Sequence, residues 1–250
     1  MRMKIMIRTL EEYSLNALPA MNTYMYDGWL LRFANGYTKR ANSVNPLYPS
    51  NENPLIKIAE CERLYAARKL ATIFKLTPVS IPDNLDSLLV HKGYRLESPA
   101  SVQILELPNI SSALDGDVFY SSDVTEDWLQ FFLSCNEMTE KEQTTLYGIW
   151  TNILLDKYFI TIKSAGRTIG CGLGVLHKDY LGIFDVKIDQ VYRKKGYGGK
   201  LVENLLKLGV HNGAKKAYLQ VLLRNDPALH LYAKLGFKEQ YQYWYRVKDY

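Results

Sequence analysis

The sequence has few of the features that mark membrane, secreted and metal-binding proteins. Its 250 residues include three cysteines, Cys61, Cys135 and Cys171, which lie far apart, and four scattered histidines. Because no metal-ligand spacing is present, we predict no metal site and free thiols in a reducing compartment. No apolar run approaches the length of a membrane span, and the basic N-terminus lacks the apolar core of a secretory signal. These absences predict a cytoplasmic protein that has no membrane partner.

Composition and charge are those of a folded protein with ample core. Hydrophobic residues make up 47% of the chain and charged residues 23%, which allows one large domain or two small ones. The formal charge of +5 suits a polyanionic small molecule. The basic residues do not form the concentrated patch of a nucleic-acid-binding protein, so we predict no nucleic-acid partner. Composition gives no prediction of the oligomeric state.

One segment combines basic residues and glycines in the manner of an anion-binding loop. It reads RKKGYG at residues 193–198, follows a predicted strand at 182–188 and opens a predicted helix at 199–211. Glycine permits positive φ, so backbone N–H groups can turn inward, and a helix N-terminus adds unpaired donors and partial positive charge. A pyrophosphate is the natural occupant of such a loop. Alone, the hexapeptide is equally compatible with a solvated surface turn.

A second motif, NDPALHLYAKLGF at residues 225–237, lies downstream. At this point the chain resembles the GNAT acetyltransferase superfamily over roughly its last 130 residues. The pyrophosphate motif of that family, R/Q-x-x-G-x-G/A, is matched by Arg193, Gly196 and Gly198. The later signature, N-x-x-A-x-x-L-Y-x-K-x-G-F, is matched in order by Asn225, Ala228, Leu231, Tyr232, Lys234, Gly236 and Phe237.

The resemblance implies a fold, an activity and a cofactor. The fold class is α+β (α/β), with mixed sheets flanked by helices. The activity is transfer of an acetyl group from acetyl-CoA to a primary amine of a small molecule or peptide by direct attack. The residues that would contact acetyl-CoA are Val186, Lys187, Ile188, Arg193, Lys194, Lys195, Gly196, Tyr197, Gly198 and Asn225. The first three would act through backbone groups, and Asn225 is equally compatible with a helix N-cap.

Two residues are candidates for proton transfer. By resemblance Tyr232 lies beside the cofactor sulfur, and a phenol can donate to a departing thiolate; the alternative is a tyrosine that only packs on the cofactor. Many protein-directed members have a glutamate five residues before the motif asparagine, but here that position is Gln220. Asp185, on the strand before the loop, is our candidate base, with a structural carboxylate as the alternative. Glu137 and Glu140, on a predicted acceptor loop, are candidates to bind a cationic substrate.

The chain also contains an internal repeat. With an ungapped offset of 143, Gly93 falls on Gly236, and the predicted helix at 57–68 falls on 200–211. The copy lacks the phosphate loop: residues 193–198 fall on SNENPL at 50–55, where both glycines and the basic residues are missing. Tyr232 falls on Leu89. The sequence therefore predicts a degenerate GNAT-like domain at 1–112 and a catalytic domain at 113–250, joined by a linker near residues 107–116.

The sequence is also compatible with two other functions. A tandem-GNAT aminoacyl transferase also pairs two such halves, but it often carries a helical arm that we do not find in this sequence. A non-catalytic acyl-CoA-binding sensor would keep the loop without needing Tyr232. Release of coenzyme A when an amine is added separates an enzyme from a sensor.

Overall fold

A computed structural model describes residues 2–107 and 113–249 of the protein. The elements follow one another as α1 (Arg2–Ala17), β1 (Asn22–Tyr26), β2 (Trp29–Phe33), β3 (Val44–Pro46), α2 (Pro54–Ala66), β4 (Thr72–Leu76), α3 (Leu85–His91), β5 (Arg95–Glu106), β6 (Val118–Ser121), α4 (Glu126–Ser134), α5 (Glu140–Thr151), β7 (Asp156–Ser164), β8 (Arg167–His177), β9 (Tyr180–Ile188), α6 (Tyr197–His211), β10 (Lys216–Leu222), α7 (Asp226–Lys234) and β11 (Lys238–Lys248). A 3-10 turn, Gln190–Tyr192, lies between β9 and α6.

The chain forms two compact units that are not sequential. The N-terminal unit comprises the described residues up to Ser101 together with 140–152 and 241 onwards, and the C-terminal unit comprises 102–139 and 153–240. Strand β5 therefore begins in the first unit and ends in the second, and β11 does the reverse. The predicted boundary at residue 112 falls in 108–112, outside the described residues.

In the N-terminal unit the strand order is β1-β2-β3-β4-β11. β1, β2 and β3 pair antiparallel, β3 runs parallel to β4, and β11 pairs antiparallel with β4, Trp244 opposite Leu76. The last strand of the chain thus completes the first unit. One face of this sheet buries side chains such as Trp29 on β2 and Phe74 on β4 against α2 and α3, and α2 contributes Tyr65 to the same core.

In the C-terminal unit the strand order is β5-β10-β9-β8-β7-β6. β6 to β9 pair antiparallel, and β10 runs parallel to β9. β7 and β8 form a hairpin that turns at Ala165-Gly166, where φ is +48° and +77°, as in the two-residue turns that match strand twist. Thr125 caps α4 by accepting a hydrogen bond from the Trp128 N–H at 3.3 Å. Helix α6 packs on β7, β8 and β9 around Leu201 and Leu205.

The element order confirms the predicted repeat. α2, β4, α3 and β5 recur as α6, β10, α7 and β11, with each start within two residues of the offset of 143. Both α3 and α7 end in the same way, with a positive-φ glycine, Gly93 or Gly236. The next residue, Tyr94 or Phe237, donates its N–H to a carbonyl five residues back at 3.0 Å. Glycine is favoured at this position because other residues resist positive φ.

Candidate functional site

Strand β9 is distorted before the loop that follows it. Its register with β8 shifts between Cys171 and Leu173, so that Asp185 and Val186 together face Gly172. Asp185 has a φ of +53°, a backbone conformation that aspartate tolerates better than most residues. This one-residue β-bulge redirects the end of the strand.

Strands β9 and β10 also separate at this point. Within the described residues their parallel pairing ends at Ile183 and Leu219, although β9 continues to Ile188 and β10 to Leu222. Past Ile183, the ladder partners of β9 among the described residues lie on β8 only. The bulge and the separation together leave the segment 185–188 with backbone groups that are not used in a ladder with β10.

The loop after β9 is fixed by Asp189, which the sequence analysis did not single out. Its Oδ1 accepts from the Val191 N–H at 3.0 Å, its Oδ2 lies 3.0 Å from Arg167 Nη2, and its own N–H donates to the Ile169 carbonyl at 2.9 Å. Asp189 therefore ties the start of the loop to β8. The only sequence signal for this role is an aspartate at a helix-capping position.

The loop ends at the N-terminus of α6 in an unusual donor arrangement. Gly196 is the N-cap, with φ of +87° and no side-chain cap. The six consecutive backbone N–H groups of residues 194–199 have no acceptor among the described residues. α6 begins at Tyr197, two residues earlier than predicted, because the left-handed Gly196 already turns the chain into the helix. Free N–H groups and a helix dipole at one point form a site for an anion.

Three segments meet behind this donor array. A Cβ placed on Gly198 would lie 3.3 Å from Leu231 on α7 and 3.9 Å from Ile188 on β9. Val186 and Tyr197 pack on the same core cluster, which includes Tyr232. The structure thus brings together the end of β9, the loop before α6, and helix α7, which carries Tyr232. The sequence assigned these three segments to one site.

The basic side chains of the loop are exposed to solvent. Arg193 donates from Nε to the Ile188 carbonyl at 3.1 Å, and Lys195 Nζ lies 5.4 Å from the centre of the Tyr192 ring. Lys194 has a φ of +59°. Lys200, one turn into α6, is instead 2.6 Å from Asp117. The positive charge available at the loop therefore comes from residues 193–195.

Tyr232 lies on α7 and is 9% exposed. Its ring meets Phe237 edge-on, with 5.8 Å between centroids. Burial raises the pKa of Tyr232 to about 12. Its hydroxyl has no hydrogen-bond partner among the described residues. The phenol is therefore protonated at neutral pH and free to donate to a bound molecule.

The remaining candidates have distinct surroundings. Asn225 caps α7, with Oδ1 accepting from the Ala228 N–H at 3.3 Å, so its side-chain oxygen has the capping role. The half-buried Asp185 has its carbonyl 4.0 Å from Cys171 Sγ, and its charge adds to burial in raising the Cys171 pKa. Glu137 lies in the C-terminal unit, whereas Glu140 opens α5 in the N-terminal unit.

Comparisons with known proteins agree with this architecture. The model of the family described as "Probable histone acetyltransferase Rv0428c C-terminal" matches residues 5–246. The chain is 25% identical over 248 residues to the uncharacterized N-acetyltransferase YobR of Bacillus subtilis, covering 97% of this chain and 98% of that protein.

Two solved structures share the fold over almost the whole chain. A GCN5-related N-acetyltransferase from Kribbella flavida has a TM-score of 0.72 at 12% identity, covering 96% of this chain and 95% of that one. A tandem GNAT protein from the clavulanic acid biosynthesis pathway has a TM-score of 0.62 at 11% identity, covering 96% and 87%. The predicted fold class is confirmed. Within the described residues, no helix has both the length and the apolar character needed to cross a bilayer.

Proposed function

Because the chain belongs to the family of the Rv0428c C-terminal acetyltransferase region and is an acetyltransferase of the GNAT type, we propose that it transfers the acetyl group of acetyl-CoA to a primary amine of a peptide or small molecule. The observation that carries this proposal is the row of six unpaired N–H groups at residues 194–199, which follows a strand that separates from its neighbour.

The residues present fit a pyrophosphate. The N–H groups of 194–199 would donate to its oxygens, and the side chains of Arg193, Lys194 and Lys195 supply three positive charges beside them. A bulky residue at Gly198 would press on Leu231, so this position favours glycine. Backbone groups of residues 186–188 would pair with the amides of the pantetheine arm.

Proton transfer would involve Asp185 and Tyr232. The acceptor amine must lose a proton before it attacks, and Asp185, at the bulge of β9, would take it directly or through water. The Tyr232 hydroxyl would give its proton to the thiolate that leaves as coenzyme A. With a pKa of about 12, this phenol holds its proton throughout the neutral range and is therefore protonated when the thiolate leaves.

The acceptor is an amine of one of two classes. The description of the family as a probable histone acetyltransferase supports testing lysine-containing basic peptides first. Small polyamines and amino sugars form the second panel. Glu137, beside the C-terminal unit's helix α4, would attract a cationic acceptor of either class.

The experiment is a thiol assay for coenzyme A release, run with acetyl-CoA and each amine panel. We expect release that depends on an amine and on acetyl-CoA together, and acetylated product of matching mass. Gly198→Leu is the control, because this substitution should abolish the binding of acetyl-CoA. Binding of acetyl-CoA without release for any amine would contradict the proposal and favour an acyl-CoA sensor.

A further inference from the structure

The N-terminal unit contains a loop that corresponds, position by position, to the loop at 193–196. With the offset of 143, residues 50–53 match 193–196, and α2 begins at Pro54 as α6 begins at Tyr197. Their N-caps are Asn53 and Gly196. Because the two loops enter their helices at the same position, their backbone N–H groups can be compared one by one.

In the N-terminal loop, a carboxylate of the same chain accepts the hydrogen bonds. Asp27 Oδ2 accepts from the backbone N–H of Asn51 at 3.1 Å, from the N–H of Glu52 at 2.9 Å and from Ser50 Oγ at 2.8 Å. Lys57 Nζ lies 3.2 Å from the same oxygen and donates to the Asp27 carbonyl at 2.6 Å. Three hydrogen-bond donors and an ammonium group thus surround one oxygen.

The next three backbone N–H groups, at residues 54–56, are also either absent or already hydrogen-bonded. Pro54 has no N–H, the Leu55 N–H donates to Asn53 Oδ1 at 2.9 Å, and the Ile56 N–H donates to the Asn53 carbonyl at 3.1 Å. Their counterparts at 197–199 have no acceptor among the described residues. Of the six N–H groups at 194–199 that have no acceptor among the described residues, five therefore correspond to positions at 51–56 where the N–H is absent or already hydrogen-bonded.

The position of Asp27 is fixed by the turn that carries it. Asp27 and Gly28 have φ of +41° and +82° in the hairpin between β1 and β2. A Cβ on Gly28 would lie 2.2 Å from the Pro49 carbonyl oxygen, so this position accepts only glycine. The Tyr48 N–H donates to the Gly28 carbonyl at 3.1 Å. The hairpin turn is therefore held directly against the loop.

The groups around the Asp27 carboxylate are those that would surround a bound anion. Lys57 is fully buried, and its ammonium group has Asp27 as its counter-ion. The hydrogen bond from the Glu52 backbone N–H, followed by the one from the Ser50 side-chain hydroxyl, holds the pKa of the Asp27 carboxyl well below its usual range. The carboxylate therefore stays charged at every pH near neutral.

We infer that the carboxylate of Asp27 takes the place of a phosphate group in the N-terminal unit, and that it prevents the loop at 50–53 from binding coenzyme A or another diphosphate. The comparison rests on the proposed function of the C-terminal loop. The site itself stands on its own contacts, so its test does not require acetyl transfer.

The test is calorimetric titration of the full chain with inorganic pyrophosphate at constant ionic strength. Asp27→Gly removes the carboxylate and tolerates the positive φ, and Asp83→Asn removes an exposed aspartate of the same unit as a control. We expect Asp27→Gly to bind one more pyrophosphate than the wild type, and Asp83→Asn to bind the same number. The result that decides is the difference in the number of pyrophosphate sites between Asp27→Gly and the wild type. If the C-terminal loop bound no pyrophosphate, both numbers would fall equally and this difference would not change.

A second measurement covers the case in which Asp27→Gly does not fold. Asp27→Asn keeps the side-chain volume and the positive φ while removing the charge. In this variant we expect the amides of Asn51 and Glu52 to exchange about tenfold faster than in the wild type, since each loses a charge-assisted hydrogen bond, and pyrophosphate to slow them again. No extra site in a folded Asp27→Gly, or amides in Asp27→Asn that pyrophosphate leaves unchanged, would overturn the inference.

Discussion

Replacing Tyr232 with phenylalanine removes one hydroxyl and little else. The ring keeps its edge-on contact with Phe237, at 5.8 Å between centroids, and its place in the core of the C-terminal unit. The hydroxyl has no hydrogen-bond partner among the described residues, so no intramolecular bond is lost. We therefore expect the free energy of unfolding to change by less than about 0.5 kcal/mol.

The effect on turnover should be much larger than the effect on stability. A positioned general acid contributes about 10²–10⁴-fold, which corresponds to about 3–5.5 kcal/mol in the activation barrier. The loss should fall on kcat, with the affinity for acetyl-CoA retained, because the proton matters only as charge develops on sulfur. Since the pKa of Tyr232 is about 12, the wild type should show no loss of this acid between pH 7 and pH 10.

The assay is steady-state coenzyme A release, with acetyl-CoA binding measured separately by calorimetry. Tyr158→Phe is the matched control: Tyr158 is also 9% exposed, burial also raises its pKa, and it lies on β7 away from the loop. Its turnover should equal that of the wild type. Full activity in Tyr232→Phe would show that another group protonates the sulfur, and a loss confined to acetyl-CoA affinity would reduce Tyr232 to a packing residue.

Three further perturbations test other parts of the account. Gly196→Val should weaken acetyl-CoA binding without unfolding the unit, because a β-branched residue resists a φ of +87° while its Cβ meets no atom within 4 Å; unchanged affinity by calorimetry would remove the loop from the site. Asp185→Asn keeps the left-handed backbone and should lower turnover at neutral pH, with the deficit shrinking as pH rises and more amine is already neutral; a pH–rate profile that matches the wild type would leave Asp185 structural. Glu11→Gln should lower the free energy of unfolding, measured in urea, by about 3–5 kcal/mol, because Lys75, buried 2.5 Å from Glu11, would lose its counter-ion. The double variant Glu11→Leu with Lys75→Met should recover most of that loss. A small loss in Glu11→Gln alone would refute the reasoning.

Local sequence signals predicted the elements around the site well. Glycine at 196 indicated the loop, because a turn with positive φ depends on the conformational preference of a single residue. The offset of 143 predicted the repeated helix, because an ungapped alignment compares residues 57–68 directly with residues 200–211. The start of α6 at Tyr197 was missed by two residues, since the left-handed Gly196 acts as the cap without a capping side chain.

Long-range features could not be obtained in this way. Alternation along β11 shows which side chains share a face but not which strand is the partner, so its pairing with β4 was not foreseen. The bulge at Asp185 depends on the register between β8 and β9. The contacts of Asp189 with Arg167, and of Asp27 with residues 50–52, join segments about 20 residues apart that carry no local motif.

The most direct test of the central claim is a calorimetric titration of the full chain with acetyl-CoA. The C-terminal unit has six available N–H donors at residues 194–199, whereas the matching loop in the N-terminal unit is occupied by Asp27. We therefore predict one site per chain, abolished by Gly198→Leu. Two equivalent sites, no site, or a single site that survives Gly198→Leu would contradict the account.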